Sequence, residues 1–311
     1  MMIPVKRGDI FTMEDVPLES WFQLYTRQYI SDFTKRYNVS IVAVDSSKAI
    51  VPHFYRYMPL SHFLDLQKNG LRFSCPSLWN DSDESTFINT DLSDFGGFQN
   101  PYVWALCTKN SEDSSEVSWY MYRHKDEPVI CIEFDANRLL NTVNEFARHN
   151  GMRVYLSQIQ YLNIPNSSIY SKLRAIKHNM PDLFENFNET CYVRLLSIKN
   201  LAYKFEEEWR IFLVADKNTN NSKVINIPWN NETLPIWGIM VEPMKPIDSS
   251  SPLCEYHKSQ HADMVDNVFD IIKSNIPTLP IETPGFFKVA NFYNKDSAVP
   301  KVTKALIDAI E

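Results

Sequence analysis

The sequence predicts a mixed α+β fold built around one large domain, and three observations lead there. Short segments with strand character alternate with amphipathic helices along most of the chain. The stretch from Val103 to Phe134 reads as a strand, helix, strand unit. A chain of 311 residues with 44% apolar side chains also buries roughly three quarters of its unfolded surface on general scaling, so it needs no disulfide or metal staple. No Gly/Ser-rich or Pro-rich linker divides it. The expected organisation is an N-terminal helical extension over 1–51, an α+β core domain with an active-site cleft over 52–248, and a C-terminal extension over 249–311 packed on that core.

The elements follow from local pattern. Between Pro17 and Tyr37 the residues Trp21, Leu24, Tyr25, Tyr29 and Phe33 recur at spacings of three and four, the stripe of an amphipathic helix. Ser40 to Val44 and His53 to Tyr57 read as short strands, and Ser61 caps a helix that stops at Asn69-Gly70. Leu71 to Pro76 is a strand entering the turn Leu78 to Glu84, whose Asn80 and Asp81 suit local backbone hydrogen bonds. Val103 to Thr108 is a buried strand, Ser115 to Tyr122 a helix and Val129 to Phe134 a strand. Leu139 to Asn150 is a helix closed by Gly151, followed by a strand from Val154 to Leu162. Ser167 to Phe187 is helical with a kink or restart at Pro181. Ala202 to Val214 carries the strongest strand signal of the second half, and Trp237 to Val241 is a short buried strand. His261 to Lys273 and Val299 to Ile310 complete the helices.

Bulk properties narrow the function classes. A formal net charge of −7 with interspersed signs leaves no electrostatic stripe for bulk nucleic-acid binding. The five cysteines are scattered without a C-x-x-C spacing, as expected of reduced thiols in the cytoplasm, and no apolar run is long enough to span a bilayer. Only seven glycines occur, which excludes Gly-rich phosphate loops. Cys254, His257 and His261 lie close together, but a structural zinc site takes four ligands and no second pair flanks them, so no metal is expected.

Two segments are candidates for chemistry. If Tyr203 to Phe212 is a strand, period two places Glu206, Glu208 and Arg210 on one face, with the carboxylates about 7 Å apart. Such a set is either a solvated edge with a cross-paired arginine or a charged site. In the helix, Trp119 and Tyr122 share a face at i and i+3, where they either stack a flat ligand ring or pack as core.

The ordered set Tyr55-Arg56-Tyr57, Phe73 to Pro76, Asn80-Asp81 with Glu84, Leu106-Cys107-Thr108, Ser118-Trp119 with Tyr122, Ile130 to Asp135 and Glu206 to Arg210 resembles the bacterial domain of unknown function family 2971. The order of Arg56, then Thr108 or Ser118, then Glu206-x-Glu208 also resembles ADP-ribosyltransferases of the arginine-serine-glutamate type. That resemblance implies a split mixed β-sheet with peripheral helices, clasping NAD as substrate. It implies catalytic Glu208, with Glu206 orienting or deprotonating the acceptor. Arg56 would hold the phosphate or ribose, while Tyr57, Thr108, Ser118, Trp119 and Tyr122 line the nucleotide site. From its turn chemistry, the segment Asn80 to Glu84 is expected to order the mouth of that cleft, with Asn80 and Asp81 satisfying backbone amides and Glu84 near Arg210 or Arg56. The biological role implied is a bacterial toxin or antiviral (phage-defence) effector with a macromolecular acceptor. Two other readings stand beside it: a module that binds a nucleotide or a partner protein without turnover, and a hydrolase in which Asp81, Glu84 and Glu208 converge, with or without a divalent ion.

Overall fold

The computed structural model describes residues 39–43, 53–79, 99–109, 116–124, 127–165, 168–216, 222–229, 235–243, 254–283 and 286–290. The expected helices Pro17 to Tyr37 and Val299 to Ile310, and most of the Leu78 to Glu84 turn, lie outside these residues. Within them the fold is mixed α+β. A ten-stranded sheet runs in the order β1 (Ser40–Ala43), β6 (Arg153–Gln158), β9 (Glu208–Ala215), β4 (Tyr102–Lys109), β2 (His53–Pro59), β5 (Val129–Asp135), β11 (Ile236–Val241) and β12 (Phe287–Val289). Its two outermost pairs, β1 with β6 and β11 with β12, are parallel, and the ladders between them are antiparallel. A branch carries β3 (Leu71–Ser74) and β10 (Val224–Ile227). A separate parallel pair joins β7 (Gln160–Leu162) to β8 (Ile198–Asn200).

The sheet divides the interior because side chains alternate across each strand. Trp209, Ile211 and Leu213 of β9, with Trp104 and Leu106 of β4, enter one core. That core is closed by Phe63 of α1 (Leu60–Asn69), Leu139 and Val143 of α3 (Ala136–His149), and Val268 and Ile272 of α7 (Cys254–Asn275). On the opposite face Phe212 and Val214 meet Ile176 of α4 (Ile169–Asn179), Leu183 of α5 (Asp182–Glu185), and Tyr192 and Val193 of α6 (Glu189–Leu195). A small third core gathers Tyr57, Cys131 and Met240 around Trp119 of α2 (Glu116–Met121).

Local chemistry sets several boundaries. Asp135 caps α3 by accepting from the Arg138 amide at 2.9 Å, so the helix starts three residues before the expected Leu139. Gly151 follows that helix in a left-handed conformation (φ 63°). Ser61 does not cap α1. The helix begins at Leu60 after extended Pro59, and the Ser61 hydroxyl bonds Glu127 at 2.6 Å instead. The segment Val154 to Leu162 is two strands, because after Ile159, whose amide still donates to the Glu208 carbonyl at 2.9 Å, the chain leaves β9 and joins β8. Pro181 does interrupt the Ser167 to Phe187 helix, separating α4 from α5.

The feature that positions the site is a fork. β4 pairs along its length with β9 on one side, but its other edge meets β2 at Tyr55–Lys109 and β3 at Ser74–Ala105. Among the described residues no further ladder pair joins β4 to either strand. The strands β2 and β3 are linked by α1, whose end is pinned by Gly70. Gly70 has φ +88°, and a Cβ there would meet the Ile227 carbonyl oxygen at 2.1 Å. Gly70→Ala is therefore expected to cost about 2–4 kcal/mol of unfolding free energy, strain and overpacking together. Urea unfolding monitored by tryptophan fluorescence checks this, and a change under about 0.5 kcal/mol, the scale of an ordinary surface substitution, contradicts it.

Candidate functional site

A small, partly open pocket lies at the fork. It is lined by residues 55–57 of β2, residues 107–109 of β4, Tyr122 beyond α2, and the carboxylates Glu206 and Glu208. Consecutive strand residues point to opposite faces, so a wall made of three in a row from each strand means that the pocket lies between the strands, where they part.

Its charged floor is built on β9. Glu208 and Arg210 are two residues apart and share a face. The Arg210 Nε donates to Glu208 Oε1 at 2.6 Å and Nη2 to Oε2 at 3.0 Å, a two-pronged pair. Arg210 is 1% exposed, and its Nη1 donates to the Leu196 carbonyl at 2.8 Å while the guanidinium lies 4.1 Å from the Trp79 ring centre. A desolvated cation over an indole adds about 2 kcal/mol to such an arrangement. Lys199 of β8 donates to Glu208 Oε2 at 3.0 Å and also to Glu206. Burial alone would raise the Glu208 carboxyl, but Arg210 and then Lys199 overcome it and hold Glu208 below the usual carboxylate range. Glu208 is therefore ionised at neutral pH.

Glu206 reaches the same pocket by a route that differs from the expected strand. Asn200 accepts from the Ala202 amide at 3.1 Å and starts a 3₁₀ turn over Leu201–Glu206. Glu207 then adopts a left-handed conformation (φ 44°), and β9 begins only at Glu208. The reading of Ala202 to Val214 as one strand is corrected accordingly. The two carboxylates converge on Lys199 through this kink rather than by period two.

Arg56 is the opposite case. Its Nη1 is sealed from solvent and has no hydrogen-bond partner among the described residues. Burial pulls the guanidinium below its ordinary value, with nearby Cys107 and Tyr122 opposing the effect. Arginine does not lose its proton in proteins, so the direction signals an enclosed cation without adequate compensation. The aromatic wall beside it is a stacked pair, Tyr57 and Tyr122, with ring centres 6.0 Å apart and planes 19° apart. Tyr122 is 40% exposed as a residue, and it is the enclosure of its phenol end, with Glu208 and Glu206 adding to the effect, that pushes the phenol up.

The remaining candidates divide. Thr108 lines the pocket but donates to the Trp209 carbonyl at 3.3 Å. Ser118 is buried behind it, accepting from Lys109 Nζ at 2.6 Å. Trp119 packs edge-on against Tyr57 in the third core, 4.9 Å between ring centres, and is not part of the pocket lining. Arg210 lies behind Glu208. Asn80, Asp81 and Glu84 fall outside the described residues. His261 Nε2 contacts the Glu242 carbonyl at 2.9 Å, and the described residues contain no group of three metal-ligating side chains. Sequence reasoning gave no role to Lys199, Lys109, Cys107 or Tyr55. The one local signal was Asn200, a turn-starting residue just before the charged run.

Removing the Glu208 charge strands Arg210, so Glu208→Gln is expected to lose about 3 kcal/mol of stability at neutral pH. Because the folded pKa lies below the unfolded value near 4.5, this contribution is complete above that pH. It is lost as pH falls toward about 2. Urea titrations should thus show a constant gap between wild type and variant at neutral pH that narrows in acid. A gap that widens in acid contradicts the assignment.

No family model, no curated protein and no solved structure matches this chain.

Proposed function

We propose that the fork pocket is a nucleotide site and that the chain is an ADP-ribosyltransferase-like enzyme acting on NAD. The observation that carries this reading is that one pocket is lined by Arg56, whose buried Nη1 has no hydrogen-bond partner among the described residues, and by Glu208, a carboxylate held ionised. A guanidinium in the pocket wall suits a phosphate oxygen. The stacked Tyr57 and Tyr122 offer a flat apolar wall for nicotinamide.

In the reaction the bond between ribose C1′ and the nicotinamide nitrogen breaks, and its electron pair leaves with neutral nicotinamide. Positive charge builds on the ribose, and the acceptor's nucleophilic atom bonds to C1′ and gives up its proton. Glu208 serves this by electrostatics and by accepting from a ribose hydroxyl. A carboxyl with so low an affinity for protons is poorly matched to general base work at neutral pH. Glu206, held by Lys199, is the group assigned to orient the acceptor.

A second reading has its own support. Both Glu208 oxygens are already engaged by Arg210 and Lys199, which suits recognition of a nucleotide without turnover.

Nicotinamide release separates the two. With NAD and wild-type protein we expect release, reduced roughly a hundred- to a thousandfold in Glu208→Gln that remains folded at the assay temperature. Glu206→Gln should keep the nicotinamide release and lose transfer to an acceptor. NAD that binds but is never cleaved moves the assignment to the binding module, and a folded Glu208→Gln with unchanged turnover removes Glu208 from the chemistry.

A further inference from the structure

The short parallel pair β7–β8 stands apart from the large sheet, and the middle residues of its two strands both reach the carboxylates of the pocket. Tyr161 and Lys199 are direct partners across this ladder. The Tyr161 hydroxyl accepts from the Glu208 amide at 2.9 Å, which fixes the backbone where it leaves the left-handed Glu207 (φ 44°) and enters β9. Lys199 Nζ, on a side chain 10% exposed, donates to Glu206 and, at 3.0 Å, to Glu208 Oε2. One ribbon thus holds both parts of the kink, the backbone through a phenol and the two carboxylates through a single ammonium.

Two carboxylates that share an ammonium are close enough to repel, and in a poorly hydrated pocket such a pair gives up one of its charges unless a cation stays with it. Glu206 and Glu208 are both nearly enclosed, with side chains 13% and 9% exposed. Arg210 is committed to Glu208 through both carboxylate oxygens. The Tyr122 and Tyr161 phenols that face the pair are pushed up by burial and stay neutral. Cys107 of β4 donates its thiol to Glu208. Arg56 and Lys109 complete the charged lining, with Lys109 Nζ donating to Ser118 at 2.6 Å.

We propose that Lys199 is the positioning residue that keeps Glu206 and Glu208 together as two charges in one pocket, on a platform made by the β7–β8 ribbon. Without its ammonium the pair takes up one proton from solvent and carries a single charge at neutral pH. The division of work between Glu208 at the ribose and Glu206 at the acceptor needs both charges, and that consequence rests on the nucleotide reading. The charge state itself requires only the pocket, whatever ligand it takes.

The test is urea unfolding of the full chain between about pH 5 and about pH 8, without any ligand, on wild type, Lys199→Met and the double variant Lys199→Met with Glu206→Gln. In Lys199→Met the folded pair holds its proton more tightly than the unfolded chain does, so the stability this proton brings is present in acid and is lost as pH rises. Relative to wild type, the folding equilibrium constant of Lys199→Met should therefore fall roughly tenfold from the acid to the alkaline end of that range. The double variant should abolish the slope, since a single carboxylate then remains beside Arg210. If Lys199→Met is unfolded at every pH, recovery of the fold in the double variant at neutral pH carries the same result, and failure to recover overturns the proposal. A deficit that is equal at all pH values, or a slope that survives in the double variant, reduces Lys199 to a structural tie and also overturns it. Nicotinamide release is read separately, so a protein that never cleaves NAD overturns the enzyme reading and leaves this one standing.

Discussion

A guanidinium with 1% of its surface exposed cannot be left without compensation, and Arg210 sets the terms for everything around it. Its donors are spent on both oxygens of Glu208 and on the Leu196 carbonyl, and its face lies on Trp79. Four separate stretches of chain are thereby tied together: β9, the end of α6, the strand β8 through Lys199, and the short 3₁₀ turn at Pro76–Leu78 that delivers Trp79. Breaking the pair from either side strands a buried charge. This is why Glu208 is held ionised, and why its structural and chemical roles are inseparable.

The fork supplies the complementary half. Where β2 leaves β4 the sheet stops sealing itself, and groups that would otherwise be ladder neighbours become the walls of a pocket. Tyr55 illustrates the economy of the arrangement. It pairs with Lys109 in the single bridge, lines the pocket, and donates its hydroxyl to Glu133 at 3.2 Å. Glu133 in turn receives Lys288 of β12 at 3.1 Å, so the pocket wall is anchored to the far edge of the sheet. On one side of the pocket the charges are fully matched, and on the other Arg56 is not.

Much of this was legible in the sequence wherever pattern and local chemistry agreed. The strands β4 and β5 are continuous apolar runs, α3 ends at a glycine suited to left-handed backbone, and Glu208 and Arg210 do share a face by period two. Convergence of Arg56 with Glu208 was expected and is found, although Trp119, expected with them, serves the core. What was not legible depends on tertiary partners. The strands β8, β10 and β12, of three or four residues, have too little sequence for a period, and each exists because a neighbouring edge accepts it. The kink at Glu207 required weighing Asn200 as a turn starter against a strong strand composition. Nothing local marks Lys199 as the bridge between Glu206 and Glu208. That Arg56 lacks a partner for one nitrogen is a property of the whole pocket and has no signature in its own neighbourhood.

Whether Arg56 is left without a partner for a ligand rather than for the fold is decided by isothermal titration of NAD into wild type and Arg56→Met, paired with thermal melting of both. Removing an enclosed cation without a full set of partners relieves its desolvation, so the variant should melt at the wild-type temperature or above it. Its affinity for NAD should fall at least roughly tenfold, the loss of one hydrogen bond to a charged group. Equal affinity in a well-folded variant, or a melting temperature far below that of wild type, would contradict the account.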